Sequence, residues 1–305
     1  MEQHYDVAII GGGPAGLSAA LVLGRSRRSV IVIDEGKPRN RVTRESHGFL
    51  TRDGITPGEL RGVAVGQLGT YPSVVIHSGK AESVEGSDGE FRLTTVKGAS
   101  YRSKKLLFAT GMRDLPIDIE GLREVYGRSA FVCPYCDGWE LRDKRLAIIA
   151  GGKAAYHLGC MVAGWTNQYV ICTNGDDELT DRQREDLRGH HIDVYDTPIR
   201  RIRSADGQVE RIELQDGSTI ACEGIFFAPK LAAGSDLPQR MGCEATETGM
   251  VVTDDAGRTS VAGVYSAGDA ASEKYQVITA ASLGSIAAIA INSELLDEAW
   301  QSVCD

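Results

Sequence analysis

Long apolar runs are missing from this chain of 305 residues. Its hydrophobic stretches are interrupted by Gly or by charge well short of the ~20 residues a membrane helix needs, so no membrane partner is expected. Positive charge is scarce as well. Against 42 Asp and Glu stand 33 Lys and Arg, a formal net charge of −9. That argues against nucleic acid, whose phosphates are held by cations, and its plain reading is solubility. MEQHYDVAIIGGG shows no basic leader and runs straight into a strand-like stretch, so a cytoplasmic protein is expected. Seven cysteines are an odd number and fit poorly with a framework of structural disulfides. Most of Cys160, Cys172, Cys222, Cys243 and Cys304 read as small buried hydrophobes. Only one CxxC is present, and His190 and His191 are adjacent, so nothing has zinc-ligand spacing.

What is abundant is glycine, 36 residues of it, the residue of tight turns and of close backbone approach to ligands. Tyr5–Ile10 reads as a strand, Gly11-Gly12-Gly13-Pro14-Ala15-Gly16 as a turn, Ala15–Arg25 as a helix and Ser29–Asp34 as a second buried strand. This βαβ unit meets the contextual conditions of a dinucleotide fingerprint. Gly11 permits the tight turn, Gly13 lets the backbone approach a pyrophosphate, and Gly16 lets helix pack on strand. The helix N-terminus offers N–H groups to the pyrophosphate, and Asp34 or Glu35 would accept from the ribose. Residues 75–107 read as an antiparallel meander. Arg145–Ala150, Gly151-Gly152 and a helical stretch through Val162 echo the opening unit, with Gln168–Cys172 as its second strand. Gly263–Ala267 is a further strand, followed by Gly268-Asp269 and a helical stretch, Val277–Leu296. Arg25, Arg27 and Arg28 read as a solvated face.

Cys133-Pro134-Tyr135-Cys136-Asp137-Gly138 carries the CxxC. Two cysteines at this spacing can close a disulfide and expose one thiolate; unrelated structural thiols are the plainer alternative.

Taken together, GGGPAGLSAA, Ala109-Thr110-Gly111, the Gly268-Asp269 pair, QVITAA and the CPYCDG hexapeptide resemble the FAD-dependent thioredoxin reductases, over nearly the whole chain. The resemblance implies an α/β fold of two Rossmann-like nucleotide-binding domains. An FAD domain of residues 1–115 and 245–305 would be interrupted by a CxxC-bearing, NAD(P)-binding-like domain of residues 116–244. FAD would lie against Gly11, Gly13, Pro14, Ala15, Gly16, Ala109, Thr110 and Gly111. Asp269, after Gly268, would hold the ribityl chain. A helix starting near Gln276, with Val277 and Ile278, would point its positive end at the flavin pyrimidine edge. An Arg usually precedes that Gln; here it is Tyr275. Gly48-Phe49-Leu50 and Asp53-Gly54 lie where the flavin-edge loop runs, and Trp300 is weighed as a flavin-stacking ring against simple packing. By the same resemblance Cys136 takes electrons from the flavin, Cys133 attacks the substrate disulfide, and Asp137 is the acid–base group. Related dithiol oxidases commonly carry His at that position, so Asp137 favours a reductase. A homodimer is also implied.

The second glycine loop departs from the family pattern. Ala150-Gly151-Gly152-Lys153-Ala154-Ala155 has Ala at the first glycine. The strand ending at Cys172 leads into Thr173-Asn174-Gly175-Asp176-Asp177-Glu178, with three acids and no arginine. A 2′-phosphate would be repelled there: one like-charge pair at 4 Å costs ~4 kcal/mol at an effective dielectric of ~20. NADPH is therefore not expected as donor, while NADH stays open through Lys153 and Asp176. Relatives without the NADPH signature are ferredoxin-linked thioredoxin reductases and oxygen-using dithiol oxidases. Three classes follow: a reductase of a thioredoxin-like protein or small disulfide, with ferredoxin among possible donors; an oxidase of a small dithiol; and a non-enzymatic flavin-binding module.

Overall fold

The computed structural model describes residues 3–175 and 178–302; Asp176, Asp177 and Cys304 lie outside them. The chain forms two compact units. One comprises Met1–Arg41, Phe49–Asp114 and Leu231–Asp305, the other Val42–Gly48 and Leu115–Lys230.

The first unit opens with β1 (Gln3–Ile10), α1 (Pro14–Arg25) and β2 (Val30–Asp34), then α2 (Pro57–Leu68), β3 (Val74–Ser78), β4 (Ala81–Ser87), β5 (Glu90–Thr95), β6 (Ser100–Phe108) and β7 (Met112–Asp114). Its main sheet runs β3-β2-β1-β6-β5-β4. β1 is parallel to both β2 and β6, with Ile9 opposite Val32 and Leu107. Strands buried on both faces read as near-continuous apolar runs, and alternate residues divide cleanly. Val7, Ile9, Val30, Val32 and Leu107 face the helix layer, while Ala8, Ile10, Ile31, Ile33, Leu106 and Phe108 face the opposite core. The expected meander holds only for β4-β5-β6. Val74–His77 instead forms the outer strand of the parallel sheet, paired with β2: VVI after a turn suits a half-exposed parallel edge as well as a hairpin.

The second unit contains α3 (Leu122–Val125), β8 (Ala130–Phe131), α4 (Pro134–Asp137), β9 (Leu146–Ile149), α5 (Gly152–Val162), β10 (Tyr169–Cys172), α6 (Asp181–Gly189), β11 (Val194–Tyr195), β12 (Ile199–Ala205), β13 (Gln208–Leu214), β14 (Thr219–Ala221) and β15 (Gly224–Phe227). A parallel sheet runs β11-β10-β9-β15-β8, and β12-β13-β14 form a separate antiparallel one. In β9, Leu146 and Ile148 enter one core and Ala147 and Ile149 the other.

The chain returns to the first unit through β16 (Leu231–Ala233), α7 (Leu237–Arg240), β17 (Val264–Ser266) and α8 (Val277–Gln301). β16 pairs antiparallel with β7, which draws residues 231–244 into the first unit and puts the junction at Lys230, not at 244. β17 extends the parallel sheet beside β6. By length and composition α8 is apolar enough to cross a membrane, which corrects the expectation that no stretch would be. One face of it, Gly284, Ala287, Ala288, Ile291 and Leu295, is buried, and Ala287, Ala288, Ile291 and Leu295 share a core with Ala15, Ala19 and Leu23 of α1.

Candidate active site

Ligands of open α/β sheets bind outside the carboxyl ends of the strands, and in the first unit three parallel strands end level. Ile10, Phe108 and Ser266 are register partners across β1, β6 and β17. The loops that follow are therefore neighbours: Gly11–Gly13 after β1, Ala109-Thr110-Gly111 after β6 and Ala267-Gly268-Asp269 after β17.

Local sterics explain the glycines. Gly11 has φ +109, and a Cβ there would collide with the Ala109 carbonyl oxygen. A Cβ on Gly16 would strike the Gly11 carbonyl, and one on Gly284 the Ala15 carbonyl. Ala15 is thus the point where the start of α1 seats on α8, and Gly268 (φ +73) closes on its Cβ. Gly13 differs. Apart from its chain neighbours, nothing lies within 4 Å of a Cβ built on it, so the space beside it is open. α1 starts at Pro14 with Gly13 as N-cap and no side-chain cap, and α8 starts after Gln276, again without a side-chain cap or an acid in its first turn. Both leave backbone N–H groups available to an anion. Val277 is half-buried, whereas Gln276 and Ile278 are exposed.

Asp34, at the end of β2, accepts from Arg61 Nη2 at 2.7 Å, and Arg61 Nε is buried with no partner. Glu35 is exposed and pairs loosely with Lys37. Asp269 lies 4.0 Å from Arg39 Nη1. Burial pushes its carboxyl up to about 6 against the pull of Arg39, with Asp114 pushing it further up. Arg39 donates Nε and Nη2 to Asp114, and its guanidinium sits 5.0 Å from the Tyr275 ring centroid. A cation thus stands at Tyr275 although the sequence there has no Arg. Leu50 is 83% exposed. Trp300 is 80% exposed and lies at the far end of α8, whose 25 residues extend roughly 36 Å from the Gln276 end. Arg28 is no mere solvated charge, since its Nε donates to Asn292 of α8.

In the second unit β8 leads into a disulfide between Cys133 and Cys136. Cys133 caps α4, and its carbonyl accepts from the N–H groups of Cys136 and Asp137 at 3.0 and 3.1 Å. Gly138 ends the turn, where a Cβ would press on the Trp165 ring. Both cysteines are half-buried, while Tyr135 and Trp139 beside them are exposed. Burial pushes the Asp137 carboxyl up to about 7, the His47 imidazole opposes the rise and Glu140 adds to it. A half-buried carboxyl titrating near neutrality next to a disulfide can hand a proton to, or take one from, a sulfur. By contrast, burial pushes the Cys172 and Cys222 thiols up to about 12, so these are inert packing groups.

The second glycine loop follows β9. Gly152 has φ +49, and a Cβ there would meet Glu178 Oε2 at 2.9 Å, so a carboxylate side chain covers the start of α5. Beyond β10, Thr173 donates to Asp196 and Asn174 accepts from the Ile199 N–H. Arg184, which α6 brings to this end, is paired with Asp196 at 2.9 Å. Lys153 is exposed. Sequence reasoning missed Arg39, Arg61, His47 and Glu140. Each acts on a residue far away in sequence or sits in a loop without a motif.

Residues 5–284 match the family described as pyridine nucleotide-disulphide oxidoreductase. Thioredoxin reductase sirT of Leptosphaeria maculans is 30% identical over 96% of this chain and 94% of its own length. Thioredoxin reductase of Treponema pallidum is 32% identical over 96% and 98%. A crystal structure of putative thioredoxin reductase TrxB from Bacillus anthracis superposes with a TM-score of 0.92 at 39% identity, covering 96% of this chain and 99% of that one. The chain belongs to the pyridine nucleotide-disulphide oxidoreductases, as a thioredoxin reductase-like flavin disulfide oxidoreductase.

Proposed function

We propose that FAD held by the first unit exchanges two electrons with Cys133–Cys136, and that the electrons do not come from NADPH. The observation that carries this reading is the disulfide with a half-buried, near-neutral carboxyl at the adjacent position 137. The first unit suits FAD: open space beside Gly13, two uncapped helix N-termini, and an acid, Asp269, after the third strand end. Gly11, Gly13, Pro14, Ala15, Gly16, Ala109, Thr110 and Gly111 would face its phosphates and ring, Gln276, Val277 and Ile278 its pyrimidine edge, Asp269 its ribityl hydroxyls, and Asp34 or Glu35 its ribose. Bound FAD supplies a two-electron carrier.

The chain's own residues do the sulfur chemistry. In the reduced enzyme the Cys133 thiolate attacks a substrate disulfide, and Asp137 gives a proton to the departing thiolate. Cys136 then attacks Cys133, releasing the second thiol and restoring the disulfide. The substrate is a thioredoxin-like protein or a small disulfide, the protein acts in the cytoplasm as a homodimer, and reduced ferredoxin is a candidate donor. Against NADPH stands Glu178 over the second glycine loop, with Arg184 already paired. Anaerobic mixing with micromolar NADPH should leave the flavin's visible band intact; rapid bleaching would overturn this part of the reading.

Dithiol oxidation is the second reading, and the imidazole acting on Asp137 favours it. Steady peroxide formation from a dithiol in air would select it over the reductase.

A further inference from the structure

Position 137 holds a carboxyl, yet an imidazole from much earlier in the chain acts on it. His47 belongs to Val42–Gly48, a segment of the second unit. That segment is seated firmly: a Cβ on Gly127 would collide with the Val42 carbonyl, and Ser46, next to His47, is buried. His47 Nε2 lies 3.7 Å from Glu45 Oε2 and 3.7 Å from Glu140 Oε1. Glu140 follows Asp137 by one turn, so the ring bridges its own loop and the redox segment. Its side chain is 17% exposed, more sheltered than either glutamate.

We propose that His47, anchored by Glu45 and Glu140, is a positioning residue that acts on thiol–disulfide exchange through Asp137. The inference rests on the reading of Asp137 as the acid–base group of the Cys133–Cys136 pair. When a dithiol attacks, Asp137 as carboxylate takes the first thiol proton. The resulting thiolate bonds to Cys133 as the Cys133–Cys136 bond breaks, and Cys136 leaves as thiolate, which takes that proton. The second substrate thiol then gives up its proton and attacks the mixed disulfide, expelling Cys133, which is protonated in turn. The substrate loses two electrons and two protons, and the enzyme disulfide gains both. Reduction of a substrate disulfide runs these steps in reverse. A protonated His47 favours the carboxylate form of Asp137, and Glu140 disfavours it. Glu45 and Glu140, each 3.7 Å from Nε2, hold the ring in place.

The test uses the full-length, flavin-loaded protein with dithiothreitol as probe. Reduction of Cys133–Cys136 is followed by alkylation and mass measurement across pH, with flavin bleaching recorded in parallel. The wild-type rate climbs through a limb near neutrality, where Asp137 ionises. His47→Gln is expected to move that limb up by about one pH unit, as loss of a nearby opposite charge does, and His47→Arg, which keeps the charge, to restore it. A limb unmoved in His47→Gln, or moved equally in His47→Arg, overturns the proposal. Should His47→Gln fail to fold, Glu45→Gln moves the limb the same way by less; an unmoved limb there overturns it as well. Failure of the parent reading looks different: alkylation proceeds in the wild type while the flavin never bleaches.

Discussion

Asp137 and Asp269 are two carboxyls that burial pushes upward, each opposed by a cation-forming group. Asp137 folds with a value of about 7 against an ordinary 3.8. The folded chain therefore keeps a proton between those values that the unfolded chain has released. The associated stability is full below 3.8 and is lost as pH rises through about 7. Asp137→Asn should thus gain melting temperature on the wild type at pH 8 while losing about a hundredfold in disulfide exchange, which scanning calorimetry and rapid mixing with dithiothreitol can check. Arg39 serves Asp114 and Asp269 together. Arg39→Ala should cost about 2 kcal/mol by removing the charged hydrogen bonds that Arg39 Nε and Nη2 give Asp114, raise Asp269 further, and lower the flavin retained after dialysis; flavin content per chain is the measurement. Neither effect of Arg39 was visible in GKPRN, because both partners lie far along the chain.

α8 joins the first unit's core at both ends of its buried face. Near its start, Gly284 admits the Ala15 carbonyl, so Gly284→Val should drive helix from helix at about 1–3 kcal/mol and release flavin before it unfolds the sheet, as parallel fluorescence and circular dichroism melts would show. Further along, Glu294 and Glu298 close on Lys105, which is fully buried, with Asp88. Tyr265 also donates to Glu294. Lys105→Met would leave three carboxylates facing one another and should cost roughly 3 kcal/mol or more at pH 7. Burial pushes the Glu294 carboxyl up, but Lys105 and Tyr265 hold it below its ordinary 4.5. That share of wild-type stability is lost on acidification, so the gap between variant and parent should narrow below 4.5 in pH-dependent denaturation. The glycine loops, their strands and α1 were legible because local sterics dictate them. The pairing of the edge strand Val74–Ser78 was not, since VVI satisfies a parallel and an antiparallel neighbour equally.

At the scale of the molecule, the parts legible in sequence were those with a local signature: two βαβ units, the disulfide and the Gly268-Asp269 turn. The Arg39, His47 and Glu178 contacts were not, because folding alone brings such residues to their sites. The α8 face carrying Ile286, Ile289 and Leu296 is exposed, and the homodimer proposed above would cover it. Ile289→Glu should then convert a two-chain particle into a single chain, with light scattering as the measure. The cradle beside Gly13 is assembled from segments on both sides of Leu115–Lys230, which is spliced between them. During synthesis the ribosome finishes the glycine loop well before it reaches Asp269 and α8. Cofactor capture must therefore wait until α8 has been made, and a nascent chain stalled at residue 230 would emerge colourless.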